Sequence, residues 1–348
     1  PVQFTVVEKG DSHELKSGHT VARIAKQTGQ IRFYGKDGEL KLSEKSAGGR
    51  EMSPVTIQGK EAYSVRQVFE GAPHEALYGL GQHQAHEMNY KGKNEELFQY
   101  NTKVSVPVVV STNNYGVLWD NYSLTRFGDP RPYGQISQFK LYGKDGKEGG
   151  LTARYVDNTE TGNVHTVRQE QHIDYENLSA VKNFPEGFDF SQAQVTWEGQ
   201  VQAPESGTFR FLLYYVGYTK IWIDGKLLAD RWRTAWNPSV AKFSVDMEKG
   251  KKYPVKLEWV PDGGASYIGL KVLSPVAPEK QDDISFWSEM AGQIDYYYLD
   301  GNSLDGVISA YRKLTGKAQV MPKWAMGFWQ SRERYKTQDE LLGVLDGF

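Results

Sequence analysis

Asp-Gly pairs punctuate this chain, at Asp37-Gly38, Asp145-Gly146, Asp224-Gly225 and within Pro261-Asp262-Gly263-Gly264. Each lies among apolar or alternating runs of roughly four to eight residues, and such a pair supplies the positive φ angles that a tight hairpin turn needs. That combination restricts most of the chain to antiparallel β-structure. In the first part the runs fall at 21–24, 31–34, 63–69, 104–111 and 115–119, the pattern of a β-sandwich. A second set occupies 195–201, 208–216, 220–223, 241–245, 255–260 and 267–273, inside a unit expected to span 188–274. Polar, turn-rich stretches at 157–187 and 274–283 read as linkers. A strand-like run then returns at 294–301, "IDYYYLDG". The economical topology is one sandwich, 1–187 and 275–301, interrupted by a second β-domain at 188–274.

From 302 onward the texture changes. "SLDGVISAYRKLTG" puts Leu304, Val307, Ile308 and Tyr311 on one helix face, with Gly316 at the C′ position. Residues 324–330 are apolar with an interior glycine, as in a buried strand. Thr337-Gln338-Asp339-Glu340 matches a capping box, and Leu341, Val344, Leu345 and Phe348 follow as an amphipathic stripe. One strand and one helix cannot bury their own apolar faces. The expectation is therefore a piece of a longer protein, or a chain paired with another that carries the rest.

A length of 348 residues suggests two or three domains of roughly 100–200 residues each. The formal charge of −2 gives no electrostatic case for nucleic acid or an anionic membrane. Zero cysteines exclude disulfides and thiolate metal sites without locating the protein. No run approaches the ~20 apolar residues of a membrane helix. The N-terminus has no signal-peptide pattern, and a processed start at Pro1 would look the same. Aromatic residues reach 13%; they either fill sandwich cores or stack on sugar rings.

Several motifs invite chemistry. "HQAHE", beginning at His83, is neither H-E-x-x-H nor H-x-x-E-H, and its setting is a loop rather than a metal-binding helix. "YGLGQ" has no third glycine and no βαβ context for a nucleotide. No G-x-S-x-G elbow is present. "DRWRTAWN" sets Trp232 and Trp236 among arginines, either as a sugar-stacking platform or as the rim of a core. Residues 71–101 mix polar and aromatic side chains without periodicity, and a stretch of that length in a compact domain is more often functional than accidental. In "FWQSRER", Trp329, Arg332, Glu333 and Arg334 stand at the end of the expected strand, the end that faces the active site in a (β/α) barrel; a surface charge cluster reads equally well.

"LYGLGQHQ", "NTKVSVPVVVSTNNYGVLWDN" and "AGQIDYYYLDGNSLDGVISAYRKLTGKAQVMPKWAMGFWQSR" together resemble glycoside hydrolase family 31, most closely its bacterial α-xylosidases active on xyloglucan oligosaccharides. "VTWEGQVQAPESGTFRFLLYYVGYTKIWIDGKLLAD" and "GKKYPVKLEWVPDGGASYIGLKV" are similar to a carbohydrate-associated domain of the protective-antigen type. The resemblance implies a mainly β chain: an N-terminal sandwich, an inserted protective-antigen-type domain, and the first strand and helix of a (β/α)8 barrel. It implies an exo-acting, retaining enzyme whose two catalytic aspartates stand on later barrel strands, outside this sequence. By the same resemblance Gln99, Tyr100, Asn101 and His83 reach the mouth of the active site, with the stretch from Trp329 to Arg334 beside the scissile bond.

Some domains of the inserted type bind calcium through adjacent aspartates. "YYVGYTKIW" lacks that pair, so calcium is not implied, and no metal or organic cofactor is needed. The implied partners are an oligosaccharide and the remainder of the same enzyme; the expected compartment is the bacterial periplasm or cell surface. An α-glucosidase of the same family, or a non-catalytic carbohydrate-binding module, are the competing readings.

Overall fold

The computed structural model describes residues 3–83, 87–100, 103–175, 184–261 and 267–348, without the side chains of 233–238. Two β-units and a helical tail make up the chain. The first unit is a sandwich. Its larger sheet begins with a meander of strands from Thr5–Lys9 to Leu40–Glu44, continues through Lys60–Glu70 and Asp283–Ala291, and ends with Thr125–Phe127 and Glu95–Leu97. Its smaller sheet runs Tyr296–Asp300, Tyr115–Trp119, Val104–Ser111, Leu77–Gln82, all antiparallel neighbours. Both inner faces meet in one core containing Phe69, Val117, Trp119 and Phe286. Trp119 stacks on Phe286 with ring centroids 5.7 Å apart, and its indole N–H donates to Ser288 Oγ at 2.8 Å. The indole's polar atom is thereby satisfied inside the core.

The chain leaves this sandwich after Thr125–Phe127 and re-enters on Asp283–Ala291, and those two strands are hydrogen-bonded neighbours with Phe127 opposite Phe286. An insert whose ends lie side by side leaves the host sheet unbroken. The insert forms its own sheet around the long strands Gly207–Ile223 and Lys226–Met247. Asp224-Gly225 joins them as expected: both residues have positive φ, 53° and 74°. Behind the sheet lies a core with Trp197, Phe209, Leu257 and Trp259 among its fully buried members.

The expected boundary at 188 is too late. Gly134–Gln135, Lys140–Gly143, Leu151–Asn158 and Asn163–Glu170 all belong to the insert's sheet, and Leu151–Asn158 pairs with Gln194–Gln202. Residues 163–170, expected as linker, are thus an edge strand. Alternation of period two looks the same in either sandwich, so only the register partner assigns such strands to a sheet.

Helix α1, Leu304–Thr315, is capped by the Ser303 hydroxyl, which accepts from the Gly306 N–H, and ends at Gly316 with φ 92°. It buries Val307 against Val108, Val110 and Leu299 on the outer face of the smaller sheet. Helix α2, Gln338–Gly347, has its expected cap: Thr337 Oγ1 accepts from Glu340 N–H at 3.2 Å, while the Glu340 carboxylate accepts from Lys336 N–H at 2.9 Å. The strand expected at 324–330 is absent. A 3-10 turn, Lys323–Met326, stands there, followed by irregular backbone with Trp324, Phe328 and Trp329 exposed. A strand exists through its ladder partners, and no described strand pairs with this segment.

Candidate functional site

Two glycines bring the loop region into place. The strand Leu77–Gln82 lies so close to Val104–Ser111 that a Cβ at Gly81 would meet the Val104 carbonyl at 2.1 Å, and one at Gly79 the Val108 carbonyl at 2.4 Å; both residues have positive φ. The glycines of "YGLGQ" therefore serve a close strand pair with an irregular register. The strand delivers His83 to the edge of the sandwich. There it meets Glu95, at the head of the edge strand Glu95–Leu97, and the turn that follows.

A cavity of about 600 Å³ opens at this edge, between the sandwich and the insert. From the sandwich come His83, Glu95, Phe98, Tyr100 and Lys103; from the insert come Leu212, Tyr214, Val240, Lys242 and Tyr267. The insert supplies these because Arg210, Leu212 and Tyr214 share one face of a strand, opposite Ser244, Lys242 and Val240. Phe98 and Tyr100 form an exposed rim, with ring centroids 6.0 Å apart.

The floor is a charged cluster. The Glu95 carboxylate is 5% exposed and accepts from Lys103 Nζ and Lys242 Nζ, each at 2.8 Å, one lysine from each domain. Burial pushes this carboxyl up, but Lys242 and Lys103 together outweigh it and hold Glu95 below the ordinary carboxylate range. His83 hydrogen-bonds through Nε2 to the Leu80 carbonyl at 2.7 Å, which makes Nε2 the protonated nitrogen. Its Nδ1 is buried, has no hydrogen-bond partner, and lies 3.6 Å from Glu95 Oε1. Burial keeps His83 below its ordinary value, against the pull of Glu95. Elsewhere on the lining, Asp129 accepts from Arg131 at 2.6 Å and from Arg210 at 2.8 Å. Burial also pushes the Tyr133 hydroxyl up to about 12, so it stays a donor.

These groups can hold a neutral, hydroxyl-rich ligand. Six aromatic residues line the cavity and offer apolar ring surfaces: Phe98, Tyr100, Phe127, Tyr133, Tyr214 and Tyr267. The charges that line it are paired: Glu95 with Lys103 and Lys242, Glu96 with Arg126, Asp129 with Arg131, and Lys271 with Asp174. Glu95 cannot act as a general acid, because it is ionised and bonded on both oxygens. The arrangement is one for binding.

Of the residues singled out in the sequence, His83 and Tyr100 line the cavity. Gln99 does not line it; its side-chain Oε1 accepts from the Ser105 N–H at 3.2 Å and braces the rim. Asn101 and the Trp236 side chain lie outside the described residues. Trp232 is 80% exposed and meets Tyr218 edge-on, 5.2 Å away, and among the described residues it is neither core rim nor part of this cavity. Trp329, Arg332, Glu333 and Arg334 are exposed and do not reach it either. Arg332 instead pairs with Glu340 at 2.5 Å and covers the Tyr335 ring. Sequence reasoning missed Glu95, Lys103, Lys242 and Arg210. No local pattern marks a lysine whose carboxylate partner is 147 residues away.

Comparison with known proteins decides the family. Residues 1–127 match the Glycosyl hydrolase 31 N-terminal galactose mutarotase-like domain, and residues 147–282 match the PA14 domain. The crystal structure of the GH31 alpha-xylosidase from Xanthomonas citri covers 100% of this chain with a TM-score of 0.89 and 44% identity. The chain belongs to glycoside hydrolase family 31. It spans 38% of the Xanthomonas citri chain. An alpha-xylosidase of Saccharolobus solfataricus is 51% identical over 69 residues, 20% of this chain and 9% of that protein. An uncharacterized family 31 glucosidase of Pseudescherichia vulneris is 34% identical over 142 residues, 34% of this chain and 26% of its own length. The PA14 match starts at 147, well before the expected boundary at 188 and on the strands that the sheet assigns to the insert.

Proposed function

We propose that this chain supplies accessory walls of an exo-acting, retaining α-xylosidase that removes terminal α-linked xylose from xyloglucan oligosaccharides. The observation that carries the reading is its likeness, along its whole length, to the Xanthomonas citri alpha-xylosidase, insert included. The aromatic cavity between sandwich and insert supports it, because a sugar offers apolar ring faces to stack on Tyr and Phe. In this reading a pair of carboxyl groups roughly 5–5.5 Å apart performs the chemistry. One attacks the anomeric carbon; the other protonates the leaving oxygen and then activates water. Both belong to barrel residues outside this sequence. The remainder of the enzyme is the proposed partner of the exposed tail, and the bacterial periplasm or cell surface the proposed compartment.

A second reading, α-glucosidase of the same family, draws on the Pseudescherichia vulneris glucosidase. Side-by-side hydrolysis of nitrophenyl α-xyloside and α-glucoside by the full-length protein separates the two. We expect kcat/KM to favour the xyloside by at least about 10-fold; preference for the glucoside overturns the substrate assignment.

A further inference from the structure

We propose that Lys242 is a positioning residue that latches the inserted domain to the aromatic rim and so sets the reach of the site for long oligosaccharides. The inference rests on the α-xylosidase reading for its substrate, but its mechanics stand on geometry alone. Lys242 projects from the insert's long strand into the cleft. Its ammonium donates to Glu95 Oε2 at 2.8 Å and to the Asn94 carbonyl at 2.6 Å. Glu95 is almost fully buried. Removing one partner of a buried, hydrogen-bonded charge pair costs far more than removing an exposed one.

The constraint passes onward. Glu95 Oε1 accepts from Lys103 Nζ at 2.8 Å, and Lys103 also donates to the Glu96 carbonyl. Lys103 closes the rim turn by exchanging backbone hydrogen bonds with Tyr100: Tyr100 N–H to Lys103 O at 3.3 Å, and Lys103 N–H to Tyr100 O at 3.0 Å. One continuous chain of contacts therefore runs from the insert's strand through Lys242, Glu95 and Lys103 to Tyr100. Without it, Arg210 still ties the insert to Asn94 and Asp129 of the sandwich, but the rim at Tyr100 loses its link to the insert's strand and the cavity beside it loses a fixed width. A long substrate that touches both walls feels that loss. A substrate with a small leaving group feels it less.

These 348 residues hold no cysteine, so the test places spin labels at Lys60→Cys on the sandwich and Lys226→Cys on the insert, in the full-length protein with any cysteine outside this sequence replaced by serine. Double electron–electron resonance should give a narrow distance distribution with native Lys242, a broad one with Lys242→Met, and a narrow one again with Lys242→Arg. In parallel, the ratio of KM for a xyloglucan oligosaccharide to KM for nitrophenyl α-xyloside should rise about 5-fold in Lys242→Met and return to within 2-fold in Lys242→Arg. An unchanged distance distribution overturns the latch, whatever the enzyme cleaves. A broadened distribution with an unchanged KM ratio overturns its role in selectivity. A broadened distribution in a protein that cleaves no α-xyloside refutes the proposed function and leaves the latch standing.

Discussion

At His83 the protonation state is fixed from one side and left open on the other. Nε2–H donates to Leu80, and the buried Nδ1 has no donor of its own. Because burial lowers this imidazole below 6.5, the unfolded chain takes up a proton at a pH where the folded one does not. Stability is then greatest above about pH 6.5 and falls as the pH drops through 6.5 toward the folded value. Urea unfolding across pH 5–8 should show that decline, and His83→Gln should flatten it. Glu95 acts in the same direction in a more acidic window: its folded value is also depressed, so its contribution is full above the ordinary carboxylate value and is lost as pH falls through the folded value. At the rim, Tyr100→Ala removes one stacking surface. The expected result is an oligosaccharide KM raised about 5-fold, the size of one aromatic contact, read from initial rates. His83 and Tyr100 could be singled out through the family resemblance, within a stretch whose lack of periodicity already drew attention. Lys242 and Glu95 could not, since each looks like an ordinary strand charge until the fold brings them together.

Helices and turns were the most legible elements. Caps are local chemistry, and the Ser303 and Thr337 caps form as their sequences require. Thr337→Ala should cost helix α2 about 1 kcal/mol, seen as faster amide exchange at Glu340 and Leu341. Val307 is the buried anchor of helix α1. Val307→Ala removes two methyl groups from a closed contact, and should lower the unfolding free energy by about 2 kcal/mol. Strand existence was also legible, because Asp-Gly turns and alternation are local. Strand ownership was not. Residues 151–158 take a partner about 40 positions downstream, and that partner, rather than their own pattern, places them in the insert. Residues 324–330 show the converse: a strand-like sequence without ladder neighbours settles into a 3-10 turn.

On the scale of the molecule, two β-units share one cleft, and the groups that line it are split between them. The cross-domain bonds of Lys242 and Arg210 make the cleft a single structure. Its charges are internally paired, its walls are aromatic, and Glu95, the buried carboxylate on its floor, is locked in the ionised form. Such a cleft suits a neutral, hydroxyl-rich ligand, the role the proposed function gives it. The most direct test follows the products of the full-length protein acting on a xyloglucan oligosaccharide, by proton NMR of the anomeric region. The account predicts that xylose alone is released, and that its α-anomer appears first and then mutarotates. Release of glucose, first appearance of the β-anomer, or an intact substrate would contradict it.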